Sequence, residues 1–292
     1  MKPVYLLALL FVFSYLPFSF SQNTPLKILM IGAHPDDCDI KGGGTAALFV
    51  EMGHHVKFIS VTNGDAGHME QGGGVLAKRR TEEAKEAGRR LGIIYEVLDH
   101  HDGELLATLP IRLEIIRKIR EWNADVVISH RSNDYHPDHR YTAILVQDAA
   151  YMVGVPNIAP DTPALSKNPV FLYFQDNFQK PHPFRSDIAI DITSMIDKKI
   201  YAMDAHQSQF YEWLPWIGKY ESEVPQSADE RIEWLKSKRT GQVPEKAKNS
   251  LEKWYGPQKA GQVKYVELFE ICEYGSQPTE AEIRRLFPML KP

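Results

Sequence analysis

Between Lys27 and Val153 the chain alternates short, almost unbroken apolar runs with longer amphipathic stretches, and this pattern limits its folding more than any other feature. Lys27 to Gly32, Val56 to Thr62, Ile93 to Leu98 and Asp125 to His130 read as strands. Ile40 to Met52, Ala77 to Leu91, Ile111 to Trp122 and about 138 to 153 read as helices. A strand that is apolar at successive positions has no solvent face, so it belongs in a sheet covered on both sides. The alternation therefore predicts an α/β fold, a mostly parallel sheet with helices on both faces. Val170 to Phe174 and Asp187 to Ile192 suggest further strands, and Ser194 to Gln209 a further helix. Past residue 210 the texture changes. Trp213, Trp216, Trp234 and Trp254 lie there among Lys- and Glu-rich helical stretches, with a late strand over Val263 to Glu273 and no histidine. Residues 22–210 are expected to form the catalytic core, and 211–292 a helical and aromatic appendage packed on it.

Residues 1–21 stand apart. A short basic start, an apolar run from Val4 to Phe20 and the small-x-small site Ser19-Phe20-Ser21 have the layout of a secretory signal peptide. This predicts an exported protein, periplasmic or extracellular, with no stable membrane insertion after cleavage. Thirty-four basic against 38 acidic residues, a formal charge of -4, give no basic face for nucleic acid. Two cysteines, Cys38 and Cys272, exclude both a disulfide scaffold and a four-cysteine zinc site.

In a parallel sheet all strand carboxyl ends share one edge, and ligands bind just outside it. The loops at that edge carry His34-Pro35-Asp36-Asp37, Asn63-Gly64-Asp65 with His68, Asp99-His100-His101-Asp102, and Asp134-Tyr135-His136-Pro137-Asp138-His139. Most of the chain's 11 histidines thus gather at one edge. His34 and Asp37 stand three apart, as do His136 and His139, a spacing that points paired side chains the same way. Two imidazoles and a carboxylate around an open position are the donor set of a catalytic zinc, and the same set accommodates Fe2+. Asp36 and His136 are of the types needed as a base for water and a donor to an oxyanion. Gly42-Gly43-Gly44 lacks the spacing of a dinucleotide loop.

Ala33-His34-Pro35-Asp36-Asp37 with Gly42-Gly43, His136-Pro137-Asp138-His139, the Thr62-to-Gly67 loop and Arg80-x-x-Glu83-x-x-x-Ala87-x-x-x-Leu91-Gly92 together resemble the signatures of the PIG-L/LmbE-type zinc de-N-acetylases. Ala202 to Gln209 resembles that family's late helix, so the likeness spans roughly residues 27–210. It implies a Rossmann-like fold and hydrolysis of the N-acetyl group of an amino sugar, a small molecule or a glycan, releasing acetate. It implies zinc on His34, Asp37 and His139, Asp36 as general base, and protonated His136 as the oxyanion's partner. Arg80 is expected in the sugar pocket or in a surface ion pair with Glu83 or Glu86, while Asp65, Asp134 and Tyr135 are candidate substrate contacts. Where the family often has Glu after the paired aspartates this chain has Cys38, expected to pack inward. Cleavage of another amide, such as a sugar–thiol conjugate, and sugar binding without turnover are the alternative readings; Asp36 and His136 argue against the second. Tyr211, Trp213, Trp216 and Tyr220 are expected to hold the appendage to the core rather than stack on sugar.

Overall fold

A computed structural model describes residues 24–291. The leader-like segment 1–21 lies outside the described residues. The first half follows the expected alternation: β1 (Lys27–Gly32), α1 (Asp37–Glu51), β2 (His55–Thr62), α2 (Gly73–Leu91), β3 (Ile94–His100), α3 (Leu109–Trp122), β4 (Val126–Ser129) and α4 (Pro137–Met152). Then come β5 (Val170–Phe174), β6 (Ile188–Asp191), α5 (Ile196–Met203), α6 (Leu214–Gly218), α7 (Ala228–Arg239), α8 (Lys248–Tyr255), α9 (Pro257–Ala260), β7 (Val266–Gly275) and α10 (Glu280–Leu286). Among the described residues no helix is long and apolar enough to cross a membrane.

The strands form one sheet in the order β3-β2-β1-β4-β5-β7-β6. β3, β2, β1, β4 and β5 run parallel, and β7 is antiparallel to both its neighbours. Alternation along β1 shows why its apolar run had to be continuous. Ile28 and Met30 enter the core beneath α1, α2 and α5, while Leu29 and Ile31 enter the core beneath α3 and α4. Gly44 lets α1 lie close to the sheet edge. A Cβ there would stand 2.8 Å from Ile192, and its amide donates to the Glu267 carboxylate at 2.9 Å.

Two expectations need correction. The segment 211–292 is not laid on a finished core, because β7 is inserted between β5 and β6 and the sheet runs through it. The antiparallel ladder and the buried Phe269 and Leu268 tie that strand into the main core. The helix expected over Ser194 to Gln209 is broken after Met203. The chain turns so that His206 is wholly buried, its Nε2 3.2 Å from Asp39 Oδ2, and a π-turn over Ser208–Trp213 follows. His54 is half-buried and accepts the Leu26 amide at 3.2 Å, whereas His55 is exposed.

Candidate metal centre and active site

The sheet order reverses between β1 and β4, since β1 is followed by β2 on one side and β4 by β5 on the other. The loops leaving these two strands separate there and open a crevice, the place where open α/β sheets bind ligands. A cleft of about 860 Å3 occupies it. The β1 loop brings His34, Asp36 and Asp37, and the β4 loop brings Asp134, Tyr135, His136 and His139.

His34 Nδ1 and His139 Nε2 lie 3.2 Å apart, with Asp37 Oδ2 3.5 Å from the first and Asp37 Oδ1 3.4 Å from the second. Ligands about 2.0–2.1 Å from a tetrahedral ion stand roughly 3.3–3.4 Å apart, so this triangle has the size of a coordination face. The protons say the same. His34 Nε2 faces Asp138 Oδ2 and Asp102 Oδ1, both at 3.2 Å, and His139 Nδ1 faces Asp134 Oδ1 at 3.0 Å. Carboxylates accept, so each ring can hold a proton on its outer nitrogen and offer the inner nitrogen to an ion. Without an ion a second proton on His34 satisfies this close contact, and a divalent ion would take that proton's place in a donor set of two imidazoles and a carboxylate.

The carboxylates are held in turn by backbone. Asp37 Oδ2 accepts the amides of Ala33 at 3.0 Å and His34 at 2.8 Å. Asp138, fully buried in the first turn of α4, accepts those of Gly103 at 2.7 Å and Leu105 at 3.3 Å. Burial works against ionisation of Asp37, but His139 and His130 hold its carboxyl well below the usual range. Burial also opposes protonation of His34, yet its contacts with Asp102, Asp138 and Asp37 lift it well above an ordinary histidine.

His130, directly after β4, joins the site although the motif spacings do not single it out. Its ring stacks on His139 with centroids 4.2 Å apart, and its Nε2 lies 3.3 Å from Asp37 Oδ2 and 3.1 Å from the Ala33 amide nitrogen. Burial and then His139 lower its pKa to about 4, so it is a neutral prop behind the triangle and its contact with Asp37 is a hydrogen bond, not an ion pair. His136 caps α4, its Nδ1 accepting the Asp138 amide at 3.2 Å. That bond leaves the proton on Nε2 of a neutral ring, beside His34 at 4.6 Å between centroids. Burial, then His34 and His139, lower its pKa, which favours the neutral ring.

Asp36 occupies φ 154°, ψ −22°, a conformation L residues rarely adopt and that strain-bearing functional positions retain. Burial raises its carboxyl pKa, Arg80 opposes that, and Asp37 adds to it. Arg80 is neither a surface pair nor an open sugar contact. It is 2% exposed, and its guanidinium spans Asp36 Oδ1 at 3.4 Å, Pro35 O and Gly64 O at 3.2 Å, and Asp102 Oδ2 at 3.5 Å. It thereby pins the loops after β1, β2 and β3 together. Its neighbour Arg79 makes the Glu83 pair, at 3.1 Å.

The remaining expected contacts divide. Asp65 is turned towards the loop after β3, accepting His101 Nδ1 at 2.6 Å and the Asp102 amide at 2.9 Å. Asp134 borders the cleft, but its oxygen is committed to His139 and to the His136 amide. Tyr135 stands at the rim, 73% exposed. Cys38 is fully buried and packs into the main core, as expected. Of the C-terminal aromatics, Tyr211 is buried and donates to Asp204 Oδ1 at 2.7 Å, and Tyr220 packs near Trp234. Trp213, stacked on Trp216, instead joins Leu214 and Ile217 as an apolar wall of the cleft.

A fold of this kind, with a three-donor face at its switch point, defines a metal-dependent α/β enzyme. Residues 29–150 match the model of the PIG-L family, described as GlcNAc-PI de-N-acetylase, and residues 166–281 match a domain of unknown function. The chain is 32% identical over 211 residues to the diacetylchitobiose deacetylase of Thermococcus kodakarensis, covering 67% of this chain and 76% of that protein. It is 27% identical over 202 residues to a 4-oxalmesaconate hydratase of Pseudomonas putida, covering 66% and 78%. The solved N,N'-diacetylchitobiose deacetylase of Pyrococcus horikoshii, bound to an inhibitor, superposes with a TM-score of 0.61 at 25% identity, covering 84% of this chain and 83% of that one. The chain belongs to the PIG-L de-N-acetylase family.

Proposed function

We propose that this protein is a zinc-dependent de-N-acetylase that hydrolyses the acetamide of an N-acetylated amino sugar, or of a glycoconjugate carrying one, to amine and acetate. The observation that carries this reading is the His34–Asp37–His139 triangle with Asp36 and the His136 Nε2–H beside it. His34, Asp37 and His139 would hold the ion, which when bound supplies a Lewis acid for the carbonyl and a lowered pKa for water. Asp36, its carboxyl raised by burial, takes the proton from the attacking water as oxygen bonds to the acetamide carbon. His136 Nε2–H donates to the oxyanion that develops as the carbonyl π bond opens. Asp36 then returns its proton to the nitrogen as the C–N bond breaks, so acetate and the free amine leave. Arg80 keeps the Asp36 carboxylate aimed throughout. The relatives named deacetylases support this choice over the hydration performed by the relative named a hydratase. Export to the periplasm or medium belongs to the same proposal and rests on residues 1–21.

The test is acetate release from a panel of N-acetylated mono- and disaccharides, measured before chelation, after it, and after zinc is restored. Release that disappears with chelation and returns with zinc supports the reading. A fully zinc-loaded protein that frees no acetate from any member overturns it.

A further inference from the structure

The cleft contains four cationic side chains that differ in how their charge is engaged. Arg80 is committed to Asp36, Asp102 and two carbonyls. Lys199 Nζ donates to Glu267 Oε1 and Ile40 O, each at 2.7 Å. Lys41 has no ion pair among the described residues, but its Nζ is tethered to Gln175 O at 3.0 Å. Arg239, the last residue of α7, has no ion pair and no hydrogen bond among the described residues, and its Nε is buried without a partner. Its guanidinium lies over the Phe210 ring with Cζ 4.9 Å from the centroid, so stacking fixes its plane while its donors stay unused. Burial lowers its pKa, and Tyr220 and then the Asp36 carboxylate, neither of them hydrogen-bonded to it, offset that only in part. A guanidinium withdrawn from water, oriented by an aromatic ring and lining a substrate cleft is matched in chemistry by a planar or tetrahedral oxyanion.

We propose that Arg239 is a specificity-determining residue of this cleft and binds an anionic substituent, carboxylate or phosphate, on the N-acetylated substrate. The inference rests on the de-N-acetylase reading for the reaction and on Arg239 alone for the charge of the substrate. Arg239 reaches the cleft from the segment after residue 210, so the C-terminal part of the chain selects what the loops of the sheet cleave. The apolar wall of Trp213, Leu214 and Ile217 beside the same cleft leaves the anion few other polar partners on that side.

The experiment compares the zinc-loaded full chain with Arg239→Met and Arg239→Lys. Kinetic probes are N-acetylglucosamine, N-acetylglucosamine 6-phosphate and N-acetylmuramate, whose arms separate no charge, phosphate and carboxylate. Wild type is expected to favour at least one anionic probe in kcat/KM. Arg239→Met should lower the anionic-to-neutral ratio by roughly tenfold or more, mainly through KM, with Arg239→Lys recovering part of it. Calorimetric titration of the same proteins with the same probes reads binding without turnover. A binding preference lost in Arg239→Met upholds the anion site even where no acetate is released, an outcome that removes only the reaction. Equal ratios in wild type and Arg239→Met by both methods, or no anionic preference in wild type, overturn the proposal.

Discussion

Removing the Asp134 carboxylate tests whether the ring protons in this centre are set by their outer partners. Asp134 Oδ1 is the acceptor 3.0 Å from His139 Nδ1, and it also takes the His136 amide at 3.1 Å. In Asp134→Ala the His139 proton loses its acceptor, and the tautomer that turns Nε2–H inward, unable to bind an ion, becomes competitive. A hydrogen bond involving a charged group contributes about 1.5–3 kcal/mol, which corresponds to a loss of about 10–100-fold in metal affinity. Asp134→Asn retains an oxygen able to accept both protons but removes the charge, so its loss should be the smaller of the two. The assay is zinc affinity by competition with a chromophoric chelator, with far-UV circular dichroism to verify the fold. Wild-type affinity in a folded Asp134→Ala protein, or an Asp134→Asn protein as impaired as Asp134→Ala, would refute the tautomer argument.

Asp36→Ala should keep zinc and lose about 10²–10⁴ in kcat, whereas His139→Ala should lose the metal itself; elemental analysis beside acetate release separates the two. Gly64→Ala places a methyl group 2.5 Å from Arg80 Nη1 at a residue with φ 71°. It should swing the guanidinium off Asp36 and lower kcat with metal content preserved; an unaltered kcat would count against Arg80 as the aiming group. Arg120 is 4% exposed and donates to the carbonyls of Met152, Val153, Val155, Ile158, Ala159 and Thr162. Arg120→Met should destabilise the fold by about 3 kcal/mol or more, read by urea denaturation, without changing kcat/KM of the folded fraction.

What the sequence made legible follows from range. Each of the first four strands carries its apolar pattern locally, and the sheet edge then fixes which loops meet, so His34, Asp37, His136 and His139 could be placed near one another before any coordinate. Motif spacing could not say which nitrogen faces inward. That depends on Asp138 reaching His34 across 104 residues and on Asp102 arriving from a third loop. Asp65 is the reverse case: it lies in the right loop, but its carboxylate is satisfied by His101 and the Asp102 amide, contacts set by how two loops pack. β7 carried a recognisable strand pattern, yet its place between β5 and β6 is a choice among sheet edges that no local pattern encodes. Arg239 gave no signal, because a cation at the end of a Lys- and Glu-rich helix has the appearance of ordinary surface until its partners are sought.

Charge accounts for why the centre and its cleft differ. Asp36, Asp37, Asp102, Asp134 and Asp138 crowd around two imidazoles, more negative charge than one divalent ion and Arg80 offset. The balance comes from backbone: amides of Ala33, His34, Gly103 and Leu105 point at these oxygens, and the N-termini of α1 and α4 face the same crevice. Amides fixed by loops and helix ends do not move to meet a substrate, so their charge is already committed when the cleft is empty of sugar. An acidic substituent entering such a field is repelled over most of the cleft wall. It gains only beside a cation with unused donors; Lys41 is tethered to the Gln175 carbonyl, whereas the Arg239 side chain has no hydrogen-bonded partner among the described residues and keeps its whole donor fork for that role.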